Sequence, residues 1–188
     1  RLTMAGLIVI ALILTIIMSW HFMTEGSIAG CGGGSPCEQV LSSRWSNIGG
    51  ILPVSGLAAG VYLAMLIAVF FIGPSSETPV RSMSWGVMLI LAGAIAGSAT
   101  WFMVLQKWIV GDFCPWCIAT HTTGLLLAAL ITQQAVRYFK EQNIKPFAVL
   151  PRLLAGLLAA GLLVISQVIL APEIVYNAGE SEENVIAI

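Results

Sequence analysis

Charge is what this sequence has least of. Only 9% of its 188 residues are Asp, Glu, Lys or Arg, with 2 histidines beside them. Soluble domains carry charge on about a quarter of their residues, so a water-exposed globular fold is excluded. No basic run occurs and the formal net charge is −1, which leaves no electrostatic footprint for a nucleic acid. Alternation of apolar and polar residues is missing too, and with it the pattern of a membrane β-barrel. What is there is apolar: 58% hydrophobic residues and a mean hydropathy of +0.94.

The apolar residues fall into long runs. A bilayer core of about 30 Å takes about 20 helical residues, and five segments meet that length. They are Leu2–Phe22, Pro53–Ile72, Trp85–Leu105, Cys114–Val136 and Phe147–Ala171. In lipid the backbone must satisfy its own hydrogen bonds, so these segments are helices and the fold is an all-α integral membrane one. The first run is too long for a signal peptide and no small-residue cleavage site follows it cleanly. The chain opens at Arg1 and ends in a polar tail, in which Asn177–Asn184 reads as a linker. A piece of something longer is expected.

Five spans put the termini on opposite sides. The join after the fourth span, with the start of the fifth, holds Arg137, Lys140, Lys145 and Arg152 against Glu141 alone. Arg81 lies in the join after span two, offset by Glu77, and Arg1 precedes span one. Positive charge marks the cytoplasmic side, so the N-terminus is expected there. The other side has Arg44 and Lys107 as its cations, with Glu25, Glu38, Asp112 and the acidic stretch from Glu173 to Glu183. The expected location is an inner (plasma) membrane, crossed several times. The long first loop is then extracytoplasmic, or periplasmic in a two-membrane cell.

All four cysteines fall on that side. Cys31 and Cys37 lie in the first loop, and Cys114 and Cys117 come after two complete crossings. Disulfides persist on such a face. In Cys114-Pro115-Trp116-Cys117 the proline suits a first helical position, which puts Cys114 at the N-cap and Cys117 one turn inside. Free amides and the helix dipole stabilise a thiolate there, and thiolate is the species that exchanges with disulfides. The loop pair, Cys31-Gly-Gly-Gly-Ser-Pro-Cys37, is set in a turn-rich segment suited to presenting either sulfur. It reads as the first receiver of electrons from an outside partner.

Beyond Cys37, the residues Val40, Leu41, Trp45 and Ile48 recur at helical intervals. A short amphipathic helix in the membrane interface, ended by Gly49-Gly50, would roof a pocket among the spans. His121 shares a helix face with Cys114 and Cys117, and polar groups inside a span usually face the bundle. Hydrogen bonding to an occupant of that pocket and packing against a neighbouring helix are both open to it. Gly56-x-x-x-Gly60 and Gly93-x-x-x-Gly97 predict close packing of spans two and three.

Taken together, the loop pair Cys31/Cys37, the run Val40-Leu-Ser-Ser-Arg-Trp45, Pro53-Val-Ser-Gly with Tyr62 beyond it, and Cys114-Pro-Trp-Cys117 resemble the vitamin K epoxide reductase family. The resemblance covers roughly Leu2 to Arg137, and the fifth span and tail look like bacterial members, many of which continue into a thioredoxin-like domain. It implies a four-helix bundle around a quinone of menaquinone, ubiquinone or phylloquinone type, with the fifth helix peripheral to it. Cys114/Cys117 would be the centre beside the quinone, Cys117 the closer. The loop pair would relay electrons from a reduced thioredoxin-like partner or fused domain through a transient Cys37–Cys114 link. Ser43 matches the family's serine near the pocket, and Trp45, Ser55, Tyr62, Trp116 and His121 complete the expected quinone contacts. At His121 vertebrate members carry tyrosine, which favours plain quinone reduction over epoxide reduction.

The expected organisation is a catalytic bundle over residues 1–138, with an outer loop and interfacial half-helix at about 25–52. A cytoplasmic connection and fifth helix follow over 139–172, then a polar tail over 173–188. The function expected is a thiol:quinone oxidoreductase that supports disulfide formation outside the cytoplasm. Its competitors are a membrane anchor or assembly protein braced by structural disulfides, and a zinc site of four cysteines. The brace needs no thiolate-stabilising helix start, and the zinc knot explains neither Trp116 nor the apolar surroundings. No metal is expected. Membrane proteins of the DsbB type share the spans and the quinone but carry Cys-x-x-Cys in the first loop, whereas here it comes last.

Overall fold

A computed structural model of the chain describes residues 1–24, 28–32, 34–144 and 146–170. The expected linker and tail, Glu25 and Lys145 lie outside the described residues. Among those described, five helices are long and apolar enough to cross a membrane: α1 (Leu2–Thr24), α3 (Val54–Phe71), α4 (Thr78–Val104, prolonged to Val110 by a wider turn), α5 (Pro115–Glu141) and α6 (Val149–Ile169). Their outward faces are apolar: Leu158 is 72% exposed, and Phe70, Leu162 and Ile169 are similarly open. In water such faces would be costly, and against acyl chains they are matched.

α4 starts seven residues before the expected Trp85. Pro79 sits in its first turn, and the Arg81 guanidinium donates to the carbonyls of Pro74 (3.2 Å) and Ser76 (2.7 Å), tying the helix start to the preceding turn. Falling hydropathy marks where lipid ends. It does not mark where a helix ends.

The interfacial segment departs from the expected single helix. α2 covers only Pro36–Ser42, the chain becomes extended at Ser43 (φ −63°, ψ 151°), and a 3-10 turn at Arg44–Ser46 comes next. The Ser43 hydroxyl donates to the Val40 carbonyl at 2.7 Å, competing with the helix for that acceptor. A two-residue ribbon then pairs β1 (Asn47–Ile48) with β2 (Leu52–Pro53). Its turn uses Gly49 (φ 62°) and Gly50 (φ 77°), a left-handed pair that only glycine adopts freely.

The close glycine packing also differs from expectation. The most extensive helix seam is α4 with α6, not α3 with α4. A Cβ on Gly93 would lie 3.2 Å from the Gly156 Cα, and one on Gly97 would lie 2.7 Å from the Ala160 Cβ, whereas nothing stands within 4 Å of one on Gly60. Spacing identifies a helix face for close approach but not which neighbour takes it.

Two cores result. Met4, Ile8, Met65, Met88, Leu89, Leu127, Ile131 and Phe139 fill the end of the bundle away from the cysteines. At the other end Met18, Cys31, Cys37, Cys114 and Cys117 form a second cluster, covered by Ile28, Val40, Leu41 and Trp116. The space between the two clusters is where a cavity opens.

Candidate active site

Cys114 stands at the N-cap of α5, with Pro115 in the first turn. Its sulfur accepts the Cys117 N–H at 3.3 Å, and its own N–H donates to Gln106 Oε1 at 2.9 Å. The hydrogen bond with the Cys117 side chain, then the amides of Cys117 and Trp116, lower the Cys114 pKa to about 7, against the opposing effect of burial. Cys114 is fully buried and Cys117 nearly so.

Ser35 caps α2 by accepting the Glu38 N–H at 3.2 Å, and this short helix carries Cys37 inward. Cys37 is joined to Cys31, with 5.0 Å between their Cα atoms. Its sulfur also lies 3.4 Å from the sulfur of Cys114. Cys37 is thus held against both possible partners, bonded to one and in contact with the other. The Trp116 indole N–H donates to the Ala29 carbonyl at 3.0 Å, pinning the loop beside the inner pair.

On the far side of Cys117 lies a cavity of about 350 Å³. Its walls are mostly apolar, with Tyr62, Thr120 and His121 among the groups that bring polarity. The family model described as "Vitamin K epoxide reductase family" matches residues 2–132.

The chain belongs to the vitamin K epoxide reductase family. As a member it is a multi-pass membrane oxidoreductase of a family that uses quinones. The cavity fits such a group: it is roomy and apolar enough for a ring, opens on one side for the start of a tail, and offers a few hydroxyl and ring-nitrogen groups for oxygens.

Five of the six residues expected around a quinone line this cavity: Ser43, Trp45, Ser55, Tyr62 and His121. Ser55 Oγ accepts from or donates to Ser19 Oγ at 3.0 Å, and Ser19 also bonds the Thr15 carbonyl. The His121 ring stacks parallel on Phe102, with centroids 5.7 Å apart. Trp116 is the one placed elsewhere, over the loop. Cys117 reaches the cavity, whereas Cys114 lies behind it, towards Cys37.

Sequence reasoning missed Gln106, Thr120 and Gln167. Gln106 is 2% exposed because α4 widens to a π-type turn over Leu105–Val110, ending at Gly111 (φ 83°), which rotates it inward. Thr120 donates to the Trp116 carbonyl at 2.9 Å and touches Met18. A glutamine within an apolar run is a signal in itself, since an unsatisfied amide in lipid is costly, and Gln167 meets that description; Gln106 falls just past the run ending at Leu105 and comes inside only because the helix continues to Val110. Among the described residues no group of three or more His, Cys, Asp or Glu side chains is disposed to hold a metal ion.

Proposed function

We propose that this chain is a thiol:quinone oxidoreductase of bacterial type in the plasma membrane. In this reading it takes electrons from a thioredoxin-like protein or fused domain on the extracytoplasmic side and supports disulfide formation there. The observation that carries the proposal is the 3.4 Å approach of the Cys37 and Cys114 sulfurs, with Cys117 between them and the cavity.

The partner reduces Cys31–Cys37 by thiol–disulfide exchange and leaves with its own disulfide. The Cys37 thiolate then attacks Cys114 of the inner disulfide, so the Cys114–Cys117 bond breaks and Cys117 departs as thiolate. Cys31 attacks Cys37 in turn, reforming the loop disulfide and releasing Cys114. Two electrons and two protons have then moved inward. A leaving thiol of low pKa departs fastest, so the depressed Cys114 value favours this second exchange. That step would leave the loop pair joined and the inner pair apart, the pairing that the cysteines have here.

A quinone, when bound, supplies the acceptor for those two electrons and two protons. Cys117 would face it from the cysteine end, with Ser43, Ser55, Tyr62 and His121 as candidate partners for its oxygens and Trp45 as cover.

The test is stopped-flow reduction of a short-chain quinone by purified protein, with a reduced thioredoxin-like donor or a small dithiol. Cys117→Ala is expected to abolish turnover with either donor. Cys31→Ala and Cys37→Ala should lose turnover with the protein donor while the small dithiol still works. Wild-type rates in all of these variants would make the cysteines structural and end the proposal.

A further inference from the structure

The family match ends at residue 132, and α6 lies wholly beyond it. Yet α6 is not simply a lipid-facing neighbour of the bundle. Gly156, Ala160, Leu163 and Gln167 recur at intervals that place them on one helix face. Gly156 seats that face on α4, while Ala160 and Leu163 form part of the cavity wall. Gln167, near the end of the same stripe, is 2% exposed.

Both ends of the Gln167 amide are used. Its Oε1 accepts the Trp101 indole N–H at 3.0 Å, and its Nε2 donates to the Trp45 carbonyl at 2.6 Å. Trp45 in turn meets Trp101 edge to face, with centroids 6.1 Å apart. One side chain thereby ties together α4, α6 and the 3-10 turn that carries Ser43, Trp45 and Ser46 to the cavity. That turn comes after the break in α2 at Ser43, so it is not continuous with a helix that could hold it rigidly. Because Gln167 is itself buried, losing either bond leaves a buried polar atom of its amide unmatched.

We propose that the fifth helix is a working part of the pocket, with Gln167 as the positioning residue that holds the Trp45 turn over it. This rests on reading the cavity as a quinone site. Gln167 touches neither cysteine pair, so its influence falls on how the pocket receives its occupant and not on sulfur exchange.

The experiment uses the full chain in detergent or nanodiscs, as wild type, Gln167→Leu and Trp101→Phe. The second variant removes one bond of the pair and keeps the proposal testable should Gln167→Leu fold poorly. Turnover with a short-chain quinone and a small dithiol gives KM and kcat. Formation of the Cys37–Cys114 link in a Cys117→Ser background reports sulfur exchange, and the indole N–H resonances of ¹⁵N-tryptophan-labelled protein report Trp45 and Trp101. Gln167→Leu is expected to raise KM for the quinone roughly fivefold or more, the effect of losing a net hydrogen bond. kcat and exchange should stay near wild type, and the Trp45 and Trp101 resonances should move. Trp101→Phe should give a smaller change in the same direction. Unchanged KM, or a parallel fall of kcat, exchange and thermal midpoint, would overturn the proposal. If wild-type protein reduces no quinone at all, the function reading itself falls; if it does and KM ignores Gln167, only this inference falls.

Discussion

At the scale of single residues, Cys114 is where sequence position becomes reactivity. Its sulfur accepts hydrogen bonds that favour thiolate, and the first of them comes from Cys117. In Cys117→Ser protein with the loop disulfide intact, Cys114 thiolate should attack Cys37 and free Cys31. Because thiolate is lost below a lowered pKa, that rate should rise with pH through about 7 and level off above it, rather than near the ordinary thiol value of about 8.5. Cys117→Ala, which removes the side-chain hydrogen bond, should move the midpoint upward. Acid-quenched samples resolved by mass spectrometry across pH 5 to 9, on the order of five points, would check both. An identical, unshifted midpoint in the two variants would refute the assigned cause. Trp116 is a second residue-scale handle. Trp116→Phe keeps an aromatic ring, though a smaller one, and loses the bond to the Ala29 carbonyl, so Cys37–Cys114 exchange is expected to slow by about fivefold, the effect of one net hydrogen bond.

At the scale of elements, the decisive contacts are backbone to backbone. α4 and α6 approach closely because Gly93, Gly97 and Gly156 carry no side chains there. Gly93→Ala would press on the Leu153 carbonyl and Gly156, with a stability cost of about 1–3 kcal/mol, as overpacking does. Gly60→Ala meets open space and should leave stability unchanged or slightly improved through helix propensity. Thermal melts of the two variants in one detergent would show the contrast, and equal midpoints would count against the seam. The wider turn at Leu105–Val110 has a comparable role, since a regular helix would not aim Gln106 at the Cys114 amide. Gln106→Leu is expected to loosen the α5 start and slow exchange at Cys114 without altering the cavity walls near α3.

At the scale of the whole molecule, one end of the bundle is a packed apolar core and the other holds sulfur, with a cavity between. Under the proposed function, such a division would let electrons arrive at one side of the site and a quinone lodge at the other. It also makes sidedness testable. In a cysteine-free background, Asp112→Cys should react with a membrane-impermeant maleimide added outside intact cells. Ser75→Cys, in the join between α3 and α4, should react only after permeabilisation. The reverse pattern would place the cysteine end in the cytoplasm and remove the argument for disulfide formation outside it.

The sequence by itself determined the class and the chemistry. Low charge and five apolar runs leave a helical membrane fold as the one solution for the backbone, and proline after Cys114 dictates a helix start at a sulfur. Crossing parity alone placed both cysteine pairs at one end, which the structure bears out. A shared helix face with Cys114 and Cys117 points His121 into the bundle, whereas Ser43, Trp45, Ser55 and Tyr62 are expected near a site only through the family resemblance; all five line the cavity. Tertiary structure alone decided which helix the Gly93 face meets, which way Gln106 turns, and that Gln167 bridges α4 to the turn at Trp45. Periodicity describes one helix at a time, whereas these choices depend on which surfaces meet and on how a break at Ser43 or a wide turn at Leu105 rotates the residues beyond it. The 3.4 Å contact of Cys37 with Cys114 belongs to the same group: 77 residues of chain separate the two sulfurs, and only packing brings them together.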